Sequence, residues 1–511
     1  MNQPSTQIWL YSNIPFDLDY KNVVDFTKSN RQAYFEGKLA SYYQNILYIE
    51  KNGSVIVPLN IGDLKNINYV KYNNNNGEGD IYAFVINKKY INQGATRLDL
   101  KTDIWQTNLN NYVLKDSFVV REHTATDEIG ENVIPEPITC DRVISHSKKN
   151  LFGGTYKTLI VLSKPLKEDE GLTTNIYNKP ACNYYVVNSN DLTYFLMALD
   201  YRGLADTVIG CYYLIIRAGY NLSNDYQLHL IDGNDTKTIT YNRILSVHTI
   251  TDTEHHPINN NLDGYIPKNK KMFTYPYNYM TITDGETEQI YRYEYFKNIN
   301  NITFRRETII DSSPSYFIAP QQYKGEALNE NEYFIYNKIV MPPTNSDSYK
   351  NYIAENRNSM ALGLISSIGS SALGVATGNP LALVGGVGGL ATTMARHIDS
   401  KNTVEKQKQR MSDMTLLAVG IHISLIQKCL SKEQAKIIDD YFTKFGYATN
   451  EVKIPNLTSR PYYNYVETRD VNIYGVPYED LTEFEQIFNT GVTIWHDANN
   501  YLNYAVENGV D

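Results

Sequence analysis

The sequence contains few of the residues from which covalent or metal sites are usually built. Among its 511 residues are four cysteines, which are far apart and show no paired metal-ligand spacing: Cys140, Cys182, Cys211 and Cys429. This spacing argues against a zinc site and against a dense disulfide framework. We therefore expect reduced thiols within the core. Because no GxSxG, GxxxxGK[ST] or HExxH motif is present, we predict no catalytic site, no metal and no cofactor.

An excess of basic residues is also missing. The chain has 47 Lys and Arg residues against 56 Asp and Glu residues, which gives a net charge of −9. Such a chain has no basic surface for holding nucleic acid. The first 20 residues contain no positive leader followed by an apolar run, so we expect folding in a cytoplasm rather than secretion through a signal peptide.

One group of polar residues comes closest to a metal site. His248, Asp252, His255 and His256 lie near one another, but without a recognised ligand spacing. The last two precede Pro257 in what we interpret as a polar loop. The sequence therefore favours an ordinary surface segment over a metal site.

Two further groups could be taken for catalytic residues. Acidic pairs such as Glu286 with Glu288 and Glu479 with Asp480 are abundant, and a glycosidase site could be hidden among them. Solvated surface is the simpler interpretation. The triplet Trp495–Asp497 contains an indole beside an imidazole, an arrangement that packs more often than it catalyses.

Up to about residue 345 the sequence consists of short apolar or alternating runs separated by turn dipeptides, which is typical of β-hairpins. Asn52-Gly53 and Asp284-Gly285 each stand between two strand-like runs and favour the positive-φ turns of tight hairpins. Other β-branched and aromatic runs that predict strands begin at Ile81, Lys157, Tyr212 and Tyr333.

The composition changes after residue 345, where helix-compatible sequence flanks an unusual apolar segment. Residues 358–395 contain no charged side chain and no histidine, and eight of these 38 residues are glycine. Gly378-Asn379-Pro380 predicts a central turn, so the segment resembles an apolar helical hairpin. Beyond it, Ser431 and Gln434 have the spacing of a capping box, and Gly446 is placed to end the helix that follows.

The apolar segment is close to the length that a membrane-spanning helix requires. A bilayer core needs about 20 apolar helical residues; residues 358–377 reach this length, whereas residues 381–395 do not. Glycine dilutes the apolar character, so insertion by a single chain is marginal. The side chains expected to enter a membrane are Leu362, Leu364, Ile365, Ile368, Leu373, Val375, Pro380, Leu381, Leu383, Val384, Val387 and Leu390.

Glycine spacing in the same segment favours association between helices. Gly374 and Gly378 are four residues apart, as are Gly385 and Gly389. Each pair lies on one helical face, where two backbones can approach closely. Several such hairpins could form a dry plug and later a membrane bundle. An ordinary buried hairpin within the core is the alternative, and it predicts no membrane activity.

Several stretches in order resemble the tail-knob proteins of small podoviruses that infect Gram-positive bacteria, of the picovirus and salasmavirus type. They are LYSNIPFDLDYKNVVDF near the start, TDIWQT, SFVVREHT, IGENVIPEP, DDYFTKFGY, KIPN, RPYYNYVET and IFNTGVTIWH. The resemblance implies a hexameric ring that lines a DNA channel and carries an apolar loop. The loop would plug the tube and later act on the host membrane. A negative chain suits such a channel, because phosphate contacts are what make DNA adhere.

The expected fold is α+β, mainly β, with several domains. We expect a β-rich tube domain over residues 1–140, a β-rich knob domain over 141–345, a helix-loop-helix apolar insertion over 346–410, and a C-terminal α+β region over 411–511 that completes the tube. The resemblance implies other copies of the chain, other tail proteins, the host membrane and passing DNA as partners.

The same resemblance implies a location in the virion tail after assembly in the host cytoplasm. A tail-associated polysaccharide-binding protein or depolymerase is the alternative function, motivated by 44 tyrosines and the many acidic residues.

Overall fold

A computed structural model describes residues 5–151, 155–169, 182–216, 222, 224–232, 235–245, 248–285, 287–310, 315–336 and 423–506. These residues are mainly β-strand, as the sequence predicts. The predicted apolar insertion lies outside the described residues, and so do all of its candidate membrane-facing and glycine positions.

The described chain forms two compact units, and one of them is assembled from three separate stretches. The split unit consists of Met1–Arg142, Gly264–Thr274 and Ser431–Asp511. The middle unit consists of Val143–Asp263 and Tyr275–Leu430. The chain therefore passes from one unit to the other four times.

The strands are numbered in chain order. Those of the first stretch are β1 Thr6–Ser12, β2 Asn22–Val24, β3 Leu39–Ile46, β4 Ser54–Val57, β5 Ile67–Asn73, β6 Ile81–Asn92, β7 Ala95–Thr102, β8 Val113–Leu114 and β9 Ser117–Glu122. Those of the middle unit are β10 Val143–Asn150, β11 Thr155–Leu162, β12 Asn183–Asn188, β13 Val208–Ile216, β14 Asp225–Asp232, β15 Asp235–Ile244, β16 His248–His256, β17 Asn278–Thr283, β18 Glu288–Tyr291, β19 Ile302–Ile310, β20 Ser315–Tyr323, β21 Glu326–Leu328, β22 Phe334–Tyr336 and β23 Ser424–Leu430. The last stretch adds β24 Tyr447–Lys453, β25 Tyr463–Arg469, β26 Ile473–Tyr474 and β27 Val492–Trp495.

Helices are few and short by comparison. The α-helices are α1 Lys28–Glu36, α2 Ile104–Asn108, α3 Leu192–Tyr201, α4 Lys432–Phe445 and α5 Tyr478–Asn489. The 3-10 helices are Lys167–Asp169, Ser189–Asp191, Ala205–Thr207, Lys270–Phe273, Tyr293–Tyr295, Ile299–Asn301, Glu330–Glu332 and Ala498–Asn500.

The first sheet of the split unit is antiparallel and has the order β3-β1-β5-β6-β7-β4. Side chains alternate between its two faces, as the geometry of a strand requires. Ile8 and Leu10 therefore lie in one apolar core, whereas Tyr11 and Tyr69 lie in a second, aromatic core.

The second sheet of the split unit combines strands from both ends of the chain. Its order is β2-β27-β25-β9-β24, with β2 parallel to β27 and the other pairs antiparallel. It contributes Val466 and Ile494 to the aromatic core that also receives Tyr11 and Tyr69. A two-stranded sheet of β26 and β8 completes this unit.

The described part of the middle unit is built from three antiparallel sheets. Their orders are β10-β23-β17-β18, β13-β11-β12-β15-β14 and β16-β19-β20-β21, with β22 also paired to β20. Helix α3 places Phe195 and Leu199 against Tyr185 and Tyr241 of the five-stranded sheet. One face of the five-stranded sheet is thus apolar and covered by α3.

The two hairpin predictions had different outcomes. Asp284-Gly285 does connect the paired strands β17 and β18, and Gly285 has a φ of 95°. The prediction at Asn52-Gly53 was wrong, because β4 pairs with β7 rather than with the preceding run. Asn52 still has a positive φ of 56°, and its side-chain oxygen accepts the backbone N–H of Thr102 at 2.8 Å.

The predicted capping box was also wrong, although the helix begins and ends where expected. Ser431 is the N-cap of α4, but its side chain makes no capping hydrogen bond. Gln434 instead accepts the backbone N–H of Arg142 at 2.8 Å and donates to the carbonyl of Thr139 at 3.1 Å. Gln434, which we expected to cap the helix, instead attaches it to the end of the first stretch. Gly446, with a φ of 62°, ends the helix.

Two smaller expectations need correction. His255 and His256 do not lie in a loop, because they are the last residues of β16. Cys140 and Cys429 are free thiols, and of the described cysteines only Cys429 is buried, whereas Cys140 and Cys182 are half-buried. The side chain of Cys211 lies outside what the structure describes.

Candidate functional site

The stretches that resemble tail-knob proteins come together in the second sheet of the split unit. SFVVREHT contains β9, RPYYNYVET contains all of β25 except its last residue, and IFNTGVTIWH contains β27. Val466 of β25 lies opposite Glu122 of β9, and Asn464 lies opposite Ile494 of β27. Val23 near the start of the chain pairs with Ile494 from the other side. Segments far apart in sequence therefore form one continuous site.

Two tryptophans fix the ends of the chain in this site. The indole of Trp105 stacks on the ring of Phe484 with centroids 5.5 Å apart, and its N–H donates to the carbonyl of Val24 at 3.0 Å. The indole of Trp495 donates to the side-chain oxygen of Asn22 at 3.1 Å. Both indoles are buried with their single donor satisfied, so they act in packing.

His123 connects three of the strands and helices at the centre of the site. Its Nε2–H donates to the carbonyl of Thr443 at 3.0 Å, and its Nδ1 accepts the backbone N–H of Tyr465 at 2.8 Å. Burial, with a further contribution from Arg460, lowers the pKa of this imidazole to about 3. The ring is therefore neutral, and both of its nitrogens are used in structural hydrogen bonds.

Asp439 of α4 holds the stretch that returns from the middle of the chain. Its buried carboxylate accepts hydrogen bonds from the Tyr265 hydroxyl at 2.7 Å, from the Lys268 backbone N–H at 2.9 Å and from the Asn269 backbone N–H at 3.0 Å. The Asn269 side-chain amide adds a fourth at 2.9 Å. Consecutive N–H groups around a carboxylate form an anion-binding concavity.

A buried ion group holds the end of the same returning stretch. Lys271 Nζ lies 2.6 Å from Glu136 Oε1 and donates to the carbonyl of Ile134 at 2.8 Å. Arg121 pairs with the other oxygen of Glu136 and donates to the carbonyl of Gly446 at 2.6 Å. Burial lowers the pKa of Lys271 against the opposing effect of Glu136. Removing one partner would leave an uncompensated buried charge.

Two family models match the chain and together cover most of it. The C-terminal domain of the Bacillus phage phi29 tail knob protein gp9 matches residues 241–509, more than half of the chain. The chain belongs to the phage tail knob protein family. The N-terminus of the caudoviral major tail protein matches residues 4–112.

Relatives and a solved structure agree with this assignment. The tail knob protein gp9 of Bacillus phage B103 is 26% identical, with 99% of this chain and 98% of that protein covered. The same protein of phage phi29 is 24% identical over 98% of each chain. The structure of the bacteriophage C1 tail knob protein gp12 has the same fold, with a TM-score of 0.60, 14% identity and 99% of both chains covered. The resemblance predicted from the sequence is confirmed.

This tail knob protein is a structural component of the virion tail. The acidic pairs that could have suggested a glycosidase are used in ion pairs. Glu479 and Asp480 both contact Lys51 Nζ, at 2.6 and 2.8 Å, and Glu288 pairs with Lys428. Glu286 lies outside the described residues.

The remaining candidate groups also have structural partners. In the triplet Trp495–Asp497, His496 accepts a hydrogen bond from the side-chain amide of Asn464 at 3.1 Å. Burial lowers the pKa of His496. Asp252, in the histidine-rich strand, pairs with Arg306. Among the described residues, no group of three or more His, Cys, Asp or Glu side chains is placed to hold a metal ion.

The candidate membrane residues and the candidate packing glycines all lie in 337–422, outside the described residues. Among the described helices, none is both long enough and apolar enough to cross a bilayer.

The sequence interpretation missed Asp439, which is the best-connected side chain of the site. One signal for it was available. Ala435, Ile438 and Phe442 form the buried stripe of α4 at helical spacing, and Asp439 stands within that stripe. An acid on the apolar face of a helix needs a buried partner. The identity of its partners, 170 or more residues away, had no local signal.

Proposed function

We propose that this tail knob protein assembles into a homohexameric ring that conducts DNA during ejection. Residues 358–395 would first plug its channel and then penetrate the host membrane. The single observation that carries the proposal is the match to tail knob proteins over 98–99% of the chain. A tail segment that forms a channel must close on itself through head-to-tail contacts.

The charge of the chain supports passage of DNA without binding. With a net charge of −9, the subunit would repel rather than hold a phosphate backbone, because Lys and Arg contacts supply most non-specific DNA affinity. We assign the tube to residues 1–140 and 411–511, the knob to residues 141–345 and the apolar insertion to residues 346–410. Other tail proteins and the host membrane are the further partners.

An exposed apolar stripe on α4 supports contact between copies. Ile437, Tyr441 and Phe445 are four residues apart and share one helical face; Ile437 is 69% exposed and Phe445 is 37% exposed. On the adjoining segment Val452 and Ile454 are also exposed. Contiguous exposed apolar residues are typical of surfaces that another protein covers.

The ring is tested by native mass measurement of the purified protein. The expected particle has six times the mass of the chain. Ile437→Glu should shift the particle toward smaller species, whereas the neighbouring exposed Lys436→Glu should not. A wild-type protein that stays monomeric or trimeric at concentrations where ring contacts persist would remove the ring proposal.

The membrane role is tested with dye-filled liposomes. Intact rings should release no dye until mild denaturant or acid frees the segment. Dye should then escape, because the favourable insertion free energy of six hairpins together exceeds that of one. Deleting residues 358–395 should abolish leakage and leave the ring intact. Leu364→Glu with Ile368→Glu should have the same effect, while Ser366→Ala with Ser367→Ala should not. Failure of the deleted chain to fold would favour a buried core hairpin instead.

We further propose that the protein has no hydrolytic activity. Its acidic pairs at residues 479–480 and at residue 288 are neutralised by lysines, and no described metal group is available to activate water. Release of reducing sugar from peptidoglycan, teichoic acid or capsule, lost on neutralising one acidic pair, would instead support a depolymerase.

A further inference from the structure

The middle unit carries a compact group of aromatic and cationic side chains, which we name the tyrosine patch. It consists of Tyr275, Tyr279, Arg292, Tyr295 and Lys324. We propose that the tyrosine patch binds the sugar–phosphate units of an anionic glycopolymer of the host cell surface. The proposal rests on the tail knob identity of the chain and is independent of the hexamer and of the membrane segment.

Backbone hydrogen bonds hold the loops of the patch together. The Lys324 N–H donates to the carbonyl of Tyr295 at 2.9 Å, and the Lys297 N–H donates to the carbonyl of Gln322 at 2.9 Å. Glu294 accepts the backbone N–H of Tyr275 at 3.2 Å. The three loops are thus fixed relative to one another before any ligand arrives, which reduces the entropy lost on binding.

Arg292 is the central donor of the patch. Its guanidinium carbon lies 4.1 Å from the ring centre of Tyr275 and 5.6 Å from that of Tyr295. One N–H group donates to the Tyr295 hydroxyl at 3.3 Å. Among the described residues, Arg292 has no carboxylate at ion-pair distance. Because a stacked guanidinium keeps N–H donors along its edge, Arg292 can offer a paired set of donors to an oxyanion.

The other charged groups near Arg292 have partners of their own. Lys324 lies 5.4 Å from the ring centre of Tyr295 and pairs with Glu332. The Glu294 carboxyl accepts the backbone N–H of Tyr275 at 3.2 Å; burial raises its pKa, and the nearby Arg292 opposes that shift. Arg292 is therefore the cation of the patch whose charge is available to a ligand.

The tyrosines supply the apolar component of the site. Tyr275 is 36% exposed and Tyr295 is 38% exposed, and the ring of Tyr279 meets that of Tyr275 at 62° with centroids 5.4 Å apart. Amphipathic rings of this kind combine apolar area with a hydrogen-bonding hydroxyl. The C–H face of a sugar ring can pack on such a surface while the phosphate of the same unit faces the N–H donors of Arg292.

Size and charge favour a sugar–phosphate unit over larger partners. Stable protein–protein interfaces cover about 800 Å² on each partner, whereas the patch is a few side chains bordered by exposed polar residues such as Lys297, Asn298 and Gln322. A nucleic-acid strand needs a continuous basic groove, whereas the patch offers Arg292 with one further exposed cation, Lys297, at its border. A short repeating unit with one phosphate matches both features.

The experiment measures binding of the purified full-length protein to synthetic poly(glycerol phosphate) that carries sugar substituents. Arg292→Gln should raise the dissociation constant at least tenfold, and Tyr275→Ala with Tyr295→Ala should do the same. Arg292→Lys should bind with intermediate affinity, because lysine keeps the charge but loses the forked donor set. Lys237→Gln is the matched control, since Lys237 lies 5.1 Å from the ring centre of Tyr194 in the same unit.

Circular dichroism of each variant separates loss of the site from loss of the fold. The backbone N–H of Arg292 donates to the Tyr323 hydroxyl at 3.2 Å, and this bond survives a change of side chain. Wild-type affinity in Arg292→Gln, or no binding by the wild-type protein, would overturn the proposal. Equal binding of dextran would overturn the role of the phosphate. If the wild-type protein binds single-stranded DNA as tightly as the polymer, and if Arg292→Gln abolishes that binding, the patch is a nucleic-acid site instead.

Discussion

Removal of the Asp439 carboxylate tests whether the stretch Gly264–Thr274 is held in the split unit by polar contacts. The carboxylate accepts four hydrogen bonds and its residue is 0% exposed. Asp439→Ala leaves the Tyr265 hydroxyl and the backbone N–H groups of residues 268 and 269 without this acceptor. The side-chain amide of Asn269 keeps the carbonyl of residue 439 and the Thr443 hydroxyl as acceptors. Hydrogen bonds to charged groups contribute about 1.5–3 kcal/mol each, but rearrangement and entering water offset part of that sum. We therefore expect a loss of about 4 kcal/mol, in the range for breaking a buried charged network.

The loss should be visible as a lower melting temperature and as faster local exchange. For a domain of about this size, 1 kcal/mol corresponds to roughly 2–4 °C, so the transition of the split unit should move down by about 8–16 °C. Amide hydrogen exchange should accelerate at Lys268 and Asn269, whose N–H groups donate to the carboxylate. Asp439→Asn should have an intermediate effect, because one acceptor oxygen is replaced by a donor.

Asp440→Ala is the matched control for this prediction. Asp440 is the next residue of the same helix and is exposed, so its removal should change stability by less than about 0.5 kcal/mol. If Asp439→Ala and Asp440→Ala melt at the same temperature, or if exchange at residues 268 and 269 is unchanged, the carboxylate does not hold the returning stretch and the reasoning is refuted.

Three further predictions concern single residues. Gly446→Ala should destabilise the split unit by more than about 3 kcal/mol, because a Cβ would lie 2.2 Å from the carbonyl oxygen of Glu122. Gly264→Ala, also at positive φ but with open space around its Cβ, should cost about 1–2 kcal/mol; equal losses in denaturant unfolding would contradict the clash. The folded-state pKa of His123, about 3, lies below its unfolded value. Its contribution to the free energy of unfolding is therefore complete above about pH 6.5 and is lost as the pH falls toward 3. This loss should reach about 2 kcal/mol at pH 5 and disappear in His123→Gln; equal pH slopes in both proteins would exclude it. In a short alkylation pulse followed by peptide mass mapping, half-buried Cys140 should react before buried Cys429, because burial raises the pKa of both thiols and access of the reagent then sets the order; the reverse order would show that Cys429 is accessible.

Local patterns predicted many of the strands but not all of their partners. The runs beginning at Ile81 and Lys157 lie in β6 and β11, because β-branched and aromatic residues favour strands wherever they pair. Asn52 has the positive φ that its dipeptide favours. The local sequence around Asn52-Gly53 could not indicate that β4 pairs with β7, because strand pairing depends on packing contacts between residues that are distant in the chain.

The site itself was less accessible from the sequence. The quoted motifs indicated which segments matter, and all of them lie in the split unit. The ionic contacts of Glu136 with Arg121 and Lys271 could not be predicted, because each residue alone resembles ordinary surface charge. Burial turns these charges into structural elements, and burial is a property of the completed fold.

The interleaving of the two ends of the chain has a consequence for synthesis on the ribosome. Asn22 and Trp495, which share a hydrogen bond, are separated by 473 residues. At about 5–20 residues per second, the first of them emerges roughly half a minute or more before the second. During that interval β2 and β9 have no partners from the second sheet, so the newly made N-terminal stretch must stay soluble with unpaired strand edges. A premature stop after residue 430 would therefore remove the strands that complete a sheet begun near the start of the chain.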